Sequence, residues 1–509
     1  MEFSSVTMLV PGVLLVLVWL VITALKSFDG GYRGRIPNGA HLPPGPLVLP
    51  FLGDIKTLLT GLSAQRAFAW SRIYGPVIRV KTGSSETIVL NDLDVIRTFL
   101  NHKDLLYRSR SWVLSETVDL GFGGYGGKSW DENRRFSMKL LRELGFGRRP
   151  MGEVIAEGCQ RLVCKIAESQ GEPIDLFDLI LTSASSNIGV FVLGYRYPLG
   201  HPEHQRLCKA LRDEFMTTRA GSVLSSLPSL AVALSQYLPS SRTATLIAAM
   251  RSIDEFASTH LSHHMATLHD KEDRDFIDAY LRKTKGHEHE PGSTYSLSSL
   301  AGNVVSFLLA GAVTASGSLM RELLLVAANP DTVQARIQSE IDTVVGSERQ
   351  PAWEDRVSTP YTMAFIWEAH RRYTMMPLGV PRRACQDVVI GEYFIPQDAT
   401  VVANLWAVHN NPAIWNDPDK FDPTRLLNCD GSISGDELQR VIPFSVGRRM
   451  CPGEIFASVE IYMYLTSILQ KFRVLPAKGH VLDVNVKDSE IMQLGRHKVR
   501  CIPRINTAP

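Results

Sequence analysis

A cysteine near the C-terminus has the surroundings of a metal thiolate. Cys451 lies in Phe444-Ser445-Val446-Gly447-Arg448-Arg449-Met450-Cys451-Pro452-Gly453. Pro452 suits a first helical turn, and the amphipathic run 454–471 follows it. The positive end of a helix dipole, unpaired backbone N–H groups and the neighbouring Arg448 and Arg449 all act to lower a thiol pKa. Gly447 and Gly453 carry no side chain where backbone must pass close to a flat cofactor, and Phe444 can shield the sulfur from water. No second cysteine or histidine stands beside Cys451 at a zinc-binding spacing, so a single thiolate on haem iron suits this chemistry better than tetrahedral zinc.

Three other groups have chemistry in their spacing. Trp130, Arg134, Met138 and Leu141 recur at intervals of three and four, which puts an indole and a guanidinium on one helix face. Glu368 and Arg371 stand at i, i+3 in the helical pattern 361–373, and Arg425 follows downstream in Phe421-Asp422-Pro423-Thr424-Arg425. The longest apolar helix, predicted over 298–328, opens on serines and closes at Asn329-Pro330. Its middle, Ala310-Gly311-Ala312-Val313-Thr314, leaves room for a planar group and offers one hydroxyl for hydrogen bonding or proton relay.

The pattern Phe444-x-x-Gly447-x-Arg449-x-Cys451-x-Gly453 resembles the haem-binding signature of the cytochrome P450 family, and five separately spaced motifs occur in the family's order between Pro43 and the C-terminus. Animal microsomal members are the most similar in appearance, by details such as Leu144-Gly145-Phe146-Gly147 and Ile442-Pro443-Phe444. The resemblance implies a mainly α fold with a small β region (α+β) and haem b with an axial thiolate from Cys451. It makes Trp130, Arg134, Arg382 and Arg449 propionate partners, with Arg383 the alternative to Arg382. Ala310, Phe444 and Gly453 become cofactor neighbours, Thr314 the catalytic hydroxyl, and Glu368, Arg371 and Arg425 a structural ion network. One departure stands out: Val313 occupies the place of the family's proton-delivering acid.

The implied reaction is monooxygenation, in which the thiolate favours O–O cleavage. O2, a mostly apolar small molecule and electrons from NADPH through a separate flavoprotein reductase, with cytochrome b5 as a further donor, are the implied partners. The chain itself carries no strand-to-helix nucleotide-binding glycine fingerprint. Val313 keeps two further readings open: a P450 that rearranges or dehydrates a peroxide without a reductase, and a haem-thiolate binding protein without catalysis.

The elements that must position these residues lie in 509 residues without repeats or low-complexity linkers, consistent with one large catalytic domain over 47–509. With Lys+Arg 54 against Asp+Glu 52 and a formal net charge of +2, nothing marks a nucleic-acid binder. Seven scattered cysteines, an odd number, point to a reducing compartment rather than a disulfide framework. Residues 6–25 carry no charge and are long enough to cross a bilayer; a secretory signal peptide is the competing reading, but the start lacks a basic region and no small-residue cleavage site follows, which makes 1–27 a retained membrane anchor. Lys26, Arg33 and Arg35 follow it, so the positive-inside rule puts the remainder in the cytosol, and the resemblance puts it on the endoplasmic reticulum membrane. A basic and proline-rich linker over 28–46 follows, and alternation at 77–81 and 86–90 predicts two paired strands.

Other stretches are read more simply. Arg135, Lys139 and Arg142 form a basic stripe, either a solvated face or a docking surface for an acidic electron donor. The uncharged segment 220–241 dips into the membrane or covers a pocket, 282–293 is a charged loop, and 490–495 walls the pocket or forms an ordinary turn. His260, His263 and His264 sit among polar residues that do not suggest a metal site.

Overall fold

The structure, a computed structural model, describes residues 32–504 except 33, 50–51, 84, 109–120, 125, 220–240, 270–272, 288–289, 291, 480–481 and 483–496. The anchor expected over 1–27, the apolar stretch 220–240 and the wall at 490–495 lie outside the described residues. The chain falls into two compact units, taken in turn.

The first unit comprises the described residues of 32–108 and 377–408. Its helices α1 (Ile55–Thr60), α2 (Ala64–Tyr74) and α3 (Leu93–Asn101) are capped by Asp54, Ser63 and Asp92, whose side-chain oxygens take up N–H groups the first turn leaves unpaired. The two expected strands are β1 (Val77–Thr82) and β2 (Ser85–Leu90), antiparallel with Val77 opposite Leu90. Downstream come β3 (Arg382–Arg383), β4 (Val388–Ile390), β5 (Tyr393–Ile395) and β6 (Thr400–Ala403). The sheet order is β1-β2-β6-β3, with β6 parallel to β2, while β4 and β5 form a separate hairpin. Alternation in β1 predicts one wet face, yet nearly all of it is buried. The proline-rich segment runs along it: Arg79 N–H donates to the Pro44 carbonyl at 2.8 Å. Gly45 is required there, because a Cβ would stand 1.9 Å from the Arg79 carbonyl oxygen. Within the same unit Arg35 forks onto Asp387 (2.8 and 2.5 Å), which holds the Asp387 carboxyl below its ordinary range despite partial burial.

The second unit comprises the described residues of 121–219, 241–376 and 409–504 and is mainly helical. Its main helices are α4 (Gly127–Glu143), α5 (Arg149–Ala167), α6 (Leu176–Leu193), α7 (Pro202–Arg219), α8 (Arg242–Thr267), α9 (Phe276–Lys285), α10 (Leu297–Ala328), α11 (Ala335–Val344), α12 (Pro360–Arg372) and α13 (Glu454–Lys471), followed by the pair β7 (Phe472–Pro476) and β8 (Val499–Pro503). The long apolar helix matches its expected bounds within a residue; Ser296 caps it by accepting the Ser299 N–H at 3.0 Å. Helices α6, α8 and α13 pack against it. Both α6 and α10 have the length and apolarity of membrane spans, but most of each is buried in protein, so core packing accounts for their composition. Residues 282–285, expected in a loop, instead form the last turn of α9: their charges lie around an amphipathic helix whose Phe276, Ile277, Tyr280 and Leu281 are buried.

The core between α6 and α13 is partly polar. Asn187 donates to Glu460 Oε1 (2.7 Å) and to the Tyr464 hydroxyl (2.8 Å), and it accepts from Arg196 (2.7 Å). Each buried polar atom that is paired avoids a penalty of about 1–3 kcal/mol. Burial nevertheless pushes the Glu460 carboxyl up to about 7.

Candidate functional site

The cysteine stretch is a loop held by its own backbone. Cys451 N–H donates to the Phe444 carbonyl at 2.9 Å, and Met450 N–H to that of Gly447. The reversal needs left-handed backbone at Ser445 (φ 63) and Gly447 (φ 79), so Gly447 serves the turn itself. Helix α13 starts at Glu454 with Gly453 as its cap, which leaves Pro452 just before the helix rather than in its first turn. Phe444 meets the edges of the Trp367 and His370 rings from α12 at 6.2 and 5.9 Å.

Sequence chemistry predicts a lowered thiol pKa for Cys451, and the structure reverses that. Burial pushes it up; the Gly453 backbone N–H pulls it down, the Glu454 carboxylate pushes it further up, and Arg134 pulls it down. Arg448, exposed, donates to Asp131 instead, and Arg449 is turned toward backbone carbonyls. A thiol in this position ionises against a cation, and a metal ion supplies more charge than one guanidinium.

Helix α4 brings Trp130 and Arg134 to the loop. Arg134 donates to the Met450 carbonyl at 2.6 Å, and burial holds its pKa below the ordinary guanidinium value. Arg449 donates to the Phe122 and Gly124 carbonyls (3.3 and 3.0 Å) and lies over the Trp130 ring at 4.0 Å. The Trp130 indole N–H is buried and has no hydrogen-bond partner in the protein. An orphaned buried donor flanked by guanidinium groups is a receptor for a carboxylate, so the donors present fit a haem propionate beside a thiolate. On the same helix, the basic stripe is partly neutralised, because Arg135 pairs with Asp131 and Lys139 with Glu143 one turn away.

Helix α10 supplies a small-residue face. Thr314 donates its hydroxyl to the Ala310 carbonyl at 2.8 Å; Ala310 is exposed and Thr314 half-buried on a helix most of whose positions are buried. The other small residues serve packing: a Cβ on Gly311 would stand 3.2 Å from Ile188 of α6. Val313 is 1% exposed and belongs to the apolar core, so an acid there would face the core and not the side shared by Ala310 and Thr314.

The ion network assembles as its spacing suggests. Arg371 forks onto Glu368 at 2.7 and 2.9 Å, both fully buried, and Arg425 adds a 3.0 Å bond to the same carboxylate. Sequence reasoning missed the member that carries this network to the cysteine loop. Arg371 also donates to the His409 carbonyl (2.6 Å), and the His409 Nε2 accepts the Ile442 N–H at 2.8 Å. That acceptor role puts the imidazole proton on Nδ1, which donates to the Thr374 hydroxyl at 2.7 Å. Burial, with Arg371 and His370 nearby, pushes the His409 pKa down to about 3 and keeps the ring neutral. A lone histidine in Val408-His409-Asn410-Asn411-Pro412 carries no periodic signal that would have found it.

Arg382 belongs to the first unit, where it is buried and donates to the Leu100 carbonyl at 2.6 Å. Arg383 pairs with Asp398 at 2.9 Å.

Comparison with known proteins agrees with this arrangement. Residues 43–499 match the family model described as cytochrome P450. Cytochrome P450 2J1 of Oryctolagus cuniculus is 31% identical over 488 residues, covering 95% of this chain and 96% of the relative. Cytochrome P450 2J2 of Homo sapiens is 30% identical over 468 residues (91% and 92%), and cytochrome P450 2C6 of Rattus norvegicus 30% over 469 (92% and 93%). A match that runs through helices, sheets and cysteine loop alike leaves one family, and the chain belongs to it: it is a cytochrome P450, an oxidoreductase of the monooxygenase type whose cofactor is haem on a cysteine thiolate.

Proposed function

We propose that this chain inserts one atom of O2 into a mostly apolar small molecule, using electrons from NADPH passed on by a separate flavoprotein reductase, with cytochrome b5 as an accessory donor. The observation that carries the reading is the buried, unpaired indole N–H of Trp130, set between guanidiniums beside Cys451. In this proposal Cys451 is the axial thiolate, Trp130, Arg134 and Arg449 hold propionates, and Phe444 and Gly453 border the ring. Arg382 keeps the propionate role that the resemblance gives it, and Arg383 that of its alternative. Ala310 leaves space on the oxygen side, and Thr314 holds or passes a proton at its Oγ1. Glu368, Arg371 and Arg425 fix the backbone from which the cysteine loop is hung. Haem, when bound, supplies the oxygen activation; the chain binds, orients and shields.

Residues 47–509 would act as the catalytic domain, with 1–27 anchoring it to the endoplasmic reticulum membrane on the cytosolic side. The test is reconstitution with reductase, NADPH and a panel of steroids, fatty acids, terpenoids and aromatic compounds, first by substrate-induced spectral change and then by product. NADPH-dependent oxygenation is the expected result. Turnover of an organic hydroperoxide without NADPH, and none with it, replaces this reading by peroxide rearrangement, which needs no acid at position 313.

A further inference from the structure

Helix α10 carries a second ionisable feature that the reaction above does not use. Glu322 is 1% exposed, and neither carboxylate oxygen has a hydrogen-bond partner in the protein. Burial, its sole perturber, raises its pKa well above the ordinary carboxyl value and so favours the protonated form. It borders a small cavity, with room for about one water, that is also lined by Gly317, Ser318, Arg321, His370 and Tyr373. Thr314, Ser318 and Glu322 follow one another at intervals of four and therefore form a single stripe. Side chains on a helix lean toward its N-terminus, so Glu322 reaches back toward Ser318, and Ser318 toward Thr314. Each step spans about 6 Å along the axis, a gap that one water between two hydroxyl-bearing groups can bridge.

We infer that Glu322 is the proton donor of this enzyme, acting through Ser318 and cavity water on the Thr314 hydroxyl. The inference rests on the monooxygenase reading, since peroxide rearrangement needs no such supply. One proton leaves the Glu322 carboxyl and passes beyond the Thr314 hydroxyl to the oxygen side of the site; water, Ser318 and Thr314 each accept one and release one, and end unchanged. The carboxylate regains its proton from bulk water through the cavity, whose lining includes His370, an imidazole that burial keeps neutral with a pKa near 4. The charged and titratable groups facing Glu322 are Arg321 on its own helix, with its guanidinium over the Tyr373 ring at 4.9 Å, and His370 and Tyr373 from the α12 side.

Infrared spectroscopy of the purified full-length protein, with and without haem, tests the donor independently of turnover. The expected result is a protonated-carboxyl band at neutral pH that shifts in D2O and is absent from Glu322→Gln. In the reconstituted holoenzyme, product formed per NADPH should fall roughly ten-fold or more in Glu322→Gln, with the substrate-binding spectrum unchanged. Ser318→Ala should show the same loss while keeping the band. Absence of a Glu322-dependent band overturns the inference, and so does unaltered coupling in both variants. Failure of the monooxygenase reading shows elsewhere: the wild type itself then makes no NADPH-dependent product, which removes the relay's role even where the band is present.

Discussion

At Trp130 a single atom separates two states of the protein. The indole N–H is buried and unpaired, a cost of about 1–3 kcal/mol wherever no acceptor meets it. Trp130→Phe keeps most of the ring that Arg449 covers and deletes the donor. The haem-free variant should therefore be as stable as the wild type or more so, whereas haem retention should weaken by about 1 kcal/mol, several-fold in affinity. Urea unfolding of the haem-free protein and haem transfer to a competing apoprotein measure the two effects. A variant destabilised without haem and unaltered in haem transfer would show that Trp130 is only packing. Cys451 makes a parallel point, since residue types around it suggested a lowered pKa and folding raised it. Arginines near in sequence are near in space only if their side chains turn that way, and Arg448 and Arg449 spend their donors on Asp131 and on carbonyls.

Helices show what spacing can and cannot reveal. Periodicity and capping serines located α10 to within a residue, because both signals are local. Which side of α10 meets which neighbour is a tertiary fact, so the spacing alone does not show that Val313 lies in the core. Val313→Asp would bury a carboxylate among apolar groups without a partner; unfolding free energy should drop by several kcal/mol and coupling should not improve, as denaturant melts and product-to-NADPH ratios would show. A stable variant with improved coupling would refute this. The Glu368–Arg371 pair was legible for the opposite reason, since i, i+3 geometry is set within one helix. His409 was invisible because its partners, Thr374 and Ile442, are 35 and 33 residues away. Its ordinary pKa of 6.5 falls to about 3 in the fold, so the unfolded chain takes up a proton first and this group's share of stability is lost as pH falls below 6.5. Between pH 7 and 5 the wild type should therefore lose up to about 2 kcal/mol more than His409→Gln, measured by denaturant unfolding at both values. Equal losses in the two proteins would show that His409 is not held neutral.

Across the molecule, buried titratable groups of both kinds are pushed toward their uncharged forms, and they pull stability in opposite directions with pH. His204 and His370 (both near 4) and His409 (near 3) lose stability as pH falls below 6.5. Glu460, raised from 4.5 to about 7, does the reverse: its contribution is fully present below 4.5 and is lost as pH rises toward 7, because the unfolded carboxyl ionises first. Between 4.5 and 6.5 the two sets offset one another; below 4.5 Glu460 no longer opposes the histidines, which are joined by Asp278, Asp355 and Asp422, whose partners hold their carboxyls below the ordinary range. Acid unfolding should therefore steepen below about pH 4.5. Glu460→Gln isolates one term. Its amide oxygen can still accept from Asn187, so packing around Tyr464 and Arg196 is retained, while the ionisable group is gone. The variant should match the wild type at pH 4.5 and exceed it by about 2–3 kcal/mol at pH 7, where the wild type holds a carboxyl that the unfolded chain would rather ionise. Denaturant midpoints at the two pH values decide the matter, and the same gain at both would mean that the substitution acts through packing and not through the proton that Glu460 keeps.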